Sequence, residues 1–131
     1  MTFETLAEIS KQVQFKQGDL CHLELPIKDL ARAKAFYGEI FGWVFQDVPE
    51  MNYTLFITPS GQLGGGFFEP SEEMPDRVIN FLAVDSIEET AARIEALGGK
   101  ALSPKIEVGG HGEMMYVLDS EGTTFGLWKS L

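Results

Sequence analysis

Three features of this 131-residue sequence predict an α+β fold built from two tandem β-α-β-β-β units. Short runs with alternating apolar residues precede and follow two segments of helical period. Each helical segment has a polar residue at its start and a glycine at its end. The two segments also keep a fixed spacing, for Asp29 and Asp85 open them and Gly42 and Gly98 close them, each pair 56 residues apart. That spacing reads as a structural duplication with little surviving sequence identity.

Residues 1–17 stand outside the duplication as an N-terminal extension, where Leu6, Ile9 and Val13 mark a short amphipathic helix docked on a neighbouring surface. The repeat occupies residues 18–131. Its first unit, residues 18–70, opens with the strand GDLCHLEL, which sends Cys21, Leu23 and Leu25 to one face and Leu20, His22 and Glu24 to the other. Asp29 then caps a helix whose buried stripe is Leu30, Ala33, Tyr37, Ile40 and Phe41, with Gly42 as its stop. WVFQDV, NYTLFIT and LGGGFFE follow as strands broken by Pro49, Pro59 and Gly61. Residues 69–76, EPSEEMPD, are acidic, carry two prolines and read as a linker. The second unit, residues 77–131, begins with the strand RVINFLAV, and SIEE forms a capping box between Ser86 and Glu89. Ile87, Ala91, Ile94 and Leu97 make its helix stripe, and KALSPKIEV, EMMYVLD and TTFGLWK complete three more strands. The DSEGT segment at residues 119–123 is a hairpin turn to which no chemistry is assigned.

Composition excludes several classes of function. Ten Lys and Arg against 20 Asp and Glu give a net charge of −10, which argues against nucleic acid. No apolar run approaches the roughly 20 residues of a membrane span. The start MTFETLAEISKQ has two glutamates before its first lysine and no apolar stretch, so no signal peptide is expected. Cys21 is the single cysteine, so an intrachain disulfide is impossible and a reducing cytoplasm is the expected location.

The stretches HLELPIKDLARAKAFYGEIFGW, VDSIEETAARIEALGGKAL and GHGEMMYVLDSEGTTFGLW together resemble the vicinal oxygen chelate superfamily, which includes glyoxalase I, extradiol dioxygenases and bleomycin-resistance proteins. The resemblance covers roughly residues 18–130. It implies that the strands of both units curl into an incomplete barrel around a cavity, with the helices outside, and that the protein is a homodimer. It also implies a metal site with one ligand from the first and last strand of each unit. The first-strand position of unit one is His22, which matches. The last-strand position falls among Gly64, Gly65 and Gly66. The second unit's first-strand position falls at Val78 or Ile79, and its last at Gly126, so three of four positions carry no donor. A catalytic divalent metal needs about three protein ligands, and one imidazole does not supply them.

No metal or other cofactor is therefore expected, with Ni, Zn, Fe or Mn as the runner-up. His22 and Glu24 are the candidate catalytic groups, His22 as an acid–base or hydrogen-bonding group of near-neutral pKa and Glu24 as its tuning carboxylate. A relic histidine and a solvated rim carboxylate are the competing readings. Trp128, Gly64, Gly66, Phe68, Phe81 and Gly126 are the candidate ligand-binding residues, with Trp128 as a stacking wall and the glycines as vacated space. Core packing for Trp128 and a strand bend at Gly64–Gly66 compete with that reading. Tyr53 joins the possible pocket aromatics, and Trp43, Met114, Met115 and Cys21 read chiefly as core. The expected function is a cytoplasmic protein that binds a small organic molecule, with acid–base chemistry through His22 if it is an enzyme at all, as a glyoxalase-like lyase or isomerase. The alternatives are a metal-dependent lyase or dioxygenase and a drug-sequestering resistance protein.

Overall fold

The computed structural model describes residues 1–131, in three α-helices and nine strands. They divide into two units, Met1–Gln14 with His22–Val78 and Phe15–Cys21 with Ile79–Leu131. The mixed α+β class is the one the sequence predicts. No helix is long and apolar enough to cross a membrane.

In unit one the chain runs through α1 (Phe3–Gln12), β1 (Leu20–Pro26), α2 (Leu30–Phe41), β2 (Val44–Val48), a 3-10 turn (Pro49–Met51), β3 (Tyr53–Ile57) and β4 (Gly64–Phe68). Its strands lie in the order β2, β3, β4, β1, antiparallel except for the parallel pair β1 and β4. Asp29 caps α2 as expected, its Oδ1 accepting the Arg32 N–H at 2.9 Å. Gly42 ends the helix at φ 73°, a left-handed value that glycine adopts without the Cβ penalty. The expected buried stripe of α2 holds only in part, since Ile40 and Phe41 are 59% and 53% exposed. The reason is an aromatic column between helix and sheet. Trp43 stacks on Tyr37 at 4.5 Å and on Phe56 at 4.3 Å, and Tyr37 also meets Phe67, so one aromatic layer supplies the contact.

Unit two contains β5 (Ile79–Ala83), α3 (Ile87–Ala96), β6 (Lys100–Ala101), β7 (Ile106–Val108), β8 (Gly112–Leu118) and β9 (Thr124–Ser130). The order is β5, β9, β8, β6, with β7 also on β8, and again only the first and last strands pair parallel. Residues 15–21 join this unit: the Gly18 N–H donates to the Ala83 carbonyl, the Ala83 N–H to the Asp19 carbonyl, and the Asp85 N–H to Gln17 Oε1. The expected single strand KALSPKIEV is two, β6 and β7. Pro104 lacks the N–H that a ladder needs, and the Ser103 hydroxyl takes the Tyr116 N–H instead. On the α3 side, Val84, Ile87, Met115, Val117 and Leu127 form the core. The 119–123 turn closes as expected, with Asp119 Oδ1 accepting the N–H groups of Glu121 and Thr123.

The helix caps correct the alignment of the two halves. Ser86 caps α3 as the SIEE motif predicts, its hydroxyl accepting the Glu89 N–H at 3.1 Å, so the repeat is counted from Ser86 rather than from Asp85 one residue earlier. The caps are then 57 residues apart, Ile79 becomes the counterpart of His22, and Phe81 that of Glu24. Ser86→Ala should cost about 1 kcal/mol of unfolding free energy. Asp85→Ala should cost well under half of that, and urea denaturation of the two variants checks the assignment.

Candidate functional site

The first strand of unit one alternates as the sequence predicts, and the ladder extends its faces across the sheet. His22 lies beside Gly64 and Glu24 beside Gly66, while Tyr53, Leu55 and Ile57 share this face from β3. The opposite face carries Phe56 and Phe67 against α2 and Trp43. His22, Glu24, Gly64, Gly66 and Phe68, five of the eight expected site residues, thus share one face of one unit.

Tyr53 decides the character of this face. A Cβ built on Gly66 would run into the ring and hydroxyl of Tyr53. The tyrosine therefore fills the space that the missing side chain leaves, and the room expected beside Gly66 is taken. From there its hydroxyl meets His22 Nε2 at 3.0 Å. His22 is 6% exposed and Glu24 is fully buried, so Glu24 is not the rim charge that the sequence left open. Burial also overturns the near-neutral histidine. It disfavours the imidazolium and lowers the pKa from the ordinary 6.5 to about 3. Either His22 Nε2 accepts from the tyrosine, or its N–H donates to the phenol oxygen. In both tautomers the pair is neutral.

Beside this face, a cavity of about 210 Å³ is lined in part by Leu30, Asp47, Asn52, Tyr53, Phe68 and Glu69. Phe68 is the one expected ligand-binding residue among its walls. Asp47 is held below the usual carboxylate range by hydrogen bonds from Lys34 and Thr54. Cys21 is buried, and desolvation together with the Asp19 charge pushes its thiol up to about 12, so it stays protonated and inert.

Unit two also seats a ring over a glycine, here a phenylalanine. Phe81 pairs with Gly126, and a Cβ on Gly126 would collide with the Phe81 ring. Tyr116 and Trp128 meet Phe81 edge-on at 5.7 and 6.4 Å. Trp128 is 8% exposed, its ring lies against Gly112, and its indole N–H donates to the Ser130 hydroxyl. Trp128, Phe81 and Gly126 thus come together as a packed aromatic layer, so the space expected beside Gly126 is filled as well.

These side chains do not fit the metal that the resemblance implies. One position offers an imidazole engaged with Tyr53, the positions at Gly66 and Gly126 are covered by rings, and Ile79 stands where a second histidine would be. Nowhere in the chain do three His, Cys, Asp or Glu side chains gather as a metal site. The sequence offered Tyr53 only as a pocket aromatic and gave no reason to pair it with His22. The available signal was the glycine run itself, since adjacent glycines on a buried strand invite a large neighbour to close in.

Two outcomes follow from the His22–Tyr53 pair. Tyr53→Phe should cost about 1–3 kcal/mol, because it removes a buried hydrogen bond to His22 Nε2. The pH dependence has a fixed sign. The unfolded chain binds a proton at His22 below about pH 6.5 and the folded chain only near pH 3, so stability falls as pH drops through that window. The loss attributable to this group should approach ~1.4 kcal/mol per pH unit. It should vanish in His22→Gln, as measured by urea unfolding at stepped pH.

Comparison with known proteins agrees with this architecture. A family model described as bleomycin resistance protein-like N-terminal matches residues 20–59. The protein CFP32 of Mycobacterium tuberculosis, named for a glyoxylase, is 27% identical over 128 residues, which are 92% of this chain and 49% of that protein. The chain thus spans about half the length of that relative. Methylmalonyl-CoA epimerase from Mycobacterium tuberculosis superposes with a TM-score of 0.70 at 12% identity, covering 94% of this chain and 95% of that one, a likeness of fold. A glyoxylase-like domain-containing protein of Didymella fabae is 30% identical over 118 residues, 84% of this chain and 92% of that protein. With that match the chain belongs to the glyoxalase-like proteins of the vicinal oxygen chelate superfamily.

Proposed function

We propose that this chain binds a small organic molecule without a metal, and that His22 and Tyr53 serve as a neutral hydrogen-bonding anchor rather than as an acid–base pair. The observation that carries the reading is the Tyr53 ring seated over Gly66 with its hydroxyl on His22 Nε2. A general base works best with a pKa near the working pH, and a histidine held down to about 3 by burial is too weak a base at neutrality. The likeness to methylmalonyl-CoA epimerases invites a proton-transfer reading, but that chemistry asks for a basic group which His22 does not provide in this state. The bleomycin-resistance-like model over residues 20–59 favours the drug-sequestering alternative over the metal-dependent lyase or dioxygenase. A homodimer in a reducing cytoplasm is part of the proposal, with the open edge of β2 as one strand that a second copy would cover.

Metal analysis and a ligand screen test the reading together. Purified protein should carry Ni, Zn, Fe and Mn far below stoichiometry, and a ligand found by thermal shift should stabilise it equally with and without EDTA. Tyr53→Phe should weaken that ligand by roughly five- to twentyfold, the range of one lost hydrogen bond. A stoichiometric metal that disappears in His22→Ala overturns the proposal.

A further inference from the structure

We propose that α1 is a built-in cover over the face of unit one that carries His22 and Glu24, held down chiefly by Leu6. The inference rests on the binding role proposed for that face. The opposite face of the sheet is taken by α2 and the Trp43–Phe56 stack, and α1 packs on β2 and β3. Its place along the strands is fixed by Gly61, in the turn between β3 and β4. A Cβ there would lie 2.9 Å from Ile9 Cγ2 and 3.2 Å from the Leu6 carbonyl oxygen. That turn ends at the row Val44, Ile57, Gly64, His22, which runs across all four strands. The middle of α1 therefore lies over β2 and β3 at the level of the row that ends on His22.

Burial agrees with this placement. Leu6 is 1% and Phe3 7% exposed on α1, while Leu55 and Ile57 on the His22 face of β3 are 5% and 6% exposed. Solvent does not reach Glu24, so a ligand can touch this face only if something covering it moves. The helix suits that role. It lies outside the β-α-β-β-β repeat and is ten residues long, short of the ~12–15 at which an isolated helix holds in water. It is capped by the Thr2 hydroxyl, which accepts the Thr5 N–H, but its order depends on docking. The helix supplies no strand of the sheet and no ring of the helix-side aromatic layer.

The test reads the chemical accessibility of the ring and needs no ligand. Leu6→Asp places a charge in the buried contact, and Glu8→Pro breaks the helix from its exposed side without altering any buried side chain. Diethyl pyrocarbonate modification of His22, followed by peptide mass spectrometry, is compared with that of His111, the only other histidine. Hydrogen exchange of residues 3–12 reports whether α1 has left, and urea unfolding reports whether the rest is folded. Both variants should lose protection in α1 and modify His22 roughly tenfold faster than wild type, with His111 within about twofold. Free exchange in α1 with His22 as slow as in wild type overturns the cover. Protection of α1 that persists in Leu6→Asp overturns the anchoring by Leu6. Should Leu6→Asp fail to fold, Glu8→Pro alone decides. A metal found at His22 would sink the binding proposal while leaving this measurement to stand or fall separately.

Discussion

The absence of a side chain at Gly66 governs the chemistry of unit one. Because nothing projects from that residue, the Tyr53 ring moves in over the strand and reaches the ring nitrogen of His22. A buried imidazole needs a hydrogen-bond partner, since an orphaned polar group in the interior costs more than the bond itself gains. One phenol thus does two things, filling the volume and satisfying the histidine. In unit two, Gly126 seats Phe81 in the same way, and Ile79 at the counterpart of His22 leaves no polar group to satisfy. The filling rings come from different places: over Gly66 it is Tyr53 from β3, and over Gly126 it is Phe81 from the first strand of unit two, the counterpart of Glu24.

Neutrality follows from the same packing. Water would stabilise an imidazolium, and the burial that excludes water leaves the ring hydrogen-bonded to a neutral phenol, so His22 is held neutral over the whole physiological range. The property that makes a pocket histidine attractive as a catalyst is therefore absent in this arrangement. What remains is a directional, uncharged donor–acceptor pair beside a buried carboxylate. Such a pair suits recognition of a hydroxyl or carbonyl better than removal of a proton, because its hydrogen bonds require no change of charge in a dry environment.

Local rules carried the fold, and tertiary contacts hid the site. Asp29 and Gly42 bound α2 because a cap hydrogen bond and a left-handed residue are decided within four residues of sequence. The SIEE motif pointed to Ser86 while the duplication spacing was counted from Asp85, and counting from Ser86 selects Ile79 of the two positions, Val78 or Ile79, that the sequence left open. Pro104 announced a break in KALSPKIEV that its β-rich flanks masked. Periodicity overcounted the buried face of α2, because the Trp43 column narrows the contact and strands Ile40 and Phe41 outside it. At the site, the alternation of GDLCHLEL placed His22 and Glu24 correctly on one face. Their burial and the His22–Tyr53 contact were not legible, because both depend on tertiary packing, and the tyrosine lies 31 residues further along the chain.

The packing also bears on how the two halves relate to metal-binding members of the superfamily. A carboxylate placed at position 66 has no volume to enter while Tyr53 is present, and removing Tyr53 alone takes a hydrogen bond from His22 and opens a void in a close-packed layer. Either change by itself is destabilising, and only the two together would recreate a donor facing the histidine. Unit two adds the same coupled requirement at Gly126 and Phe81, together with a polar residue in place of Ile79, which is buried at 0% exposure. A metal-competent arrangement is thus separated from this one by several concerted substitutions, each unfavourable alone. On the reading proposed here, close packing rather than the loss of any one ligand keeps the domain in its metal-free form.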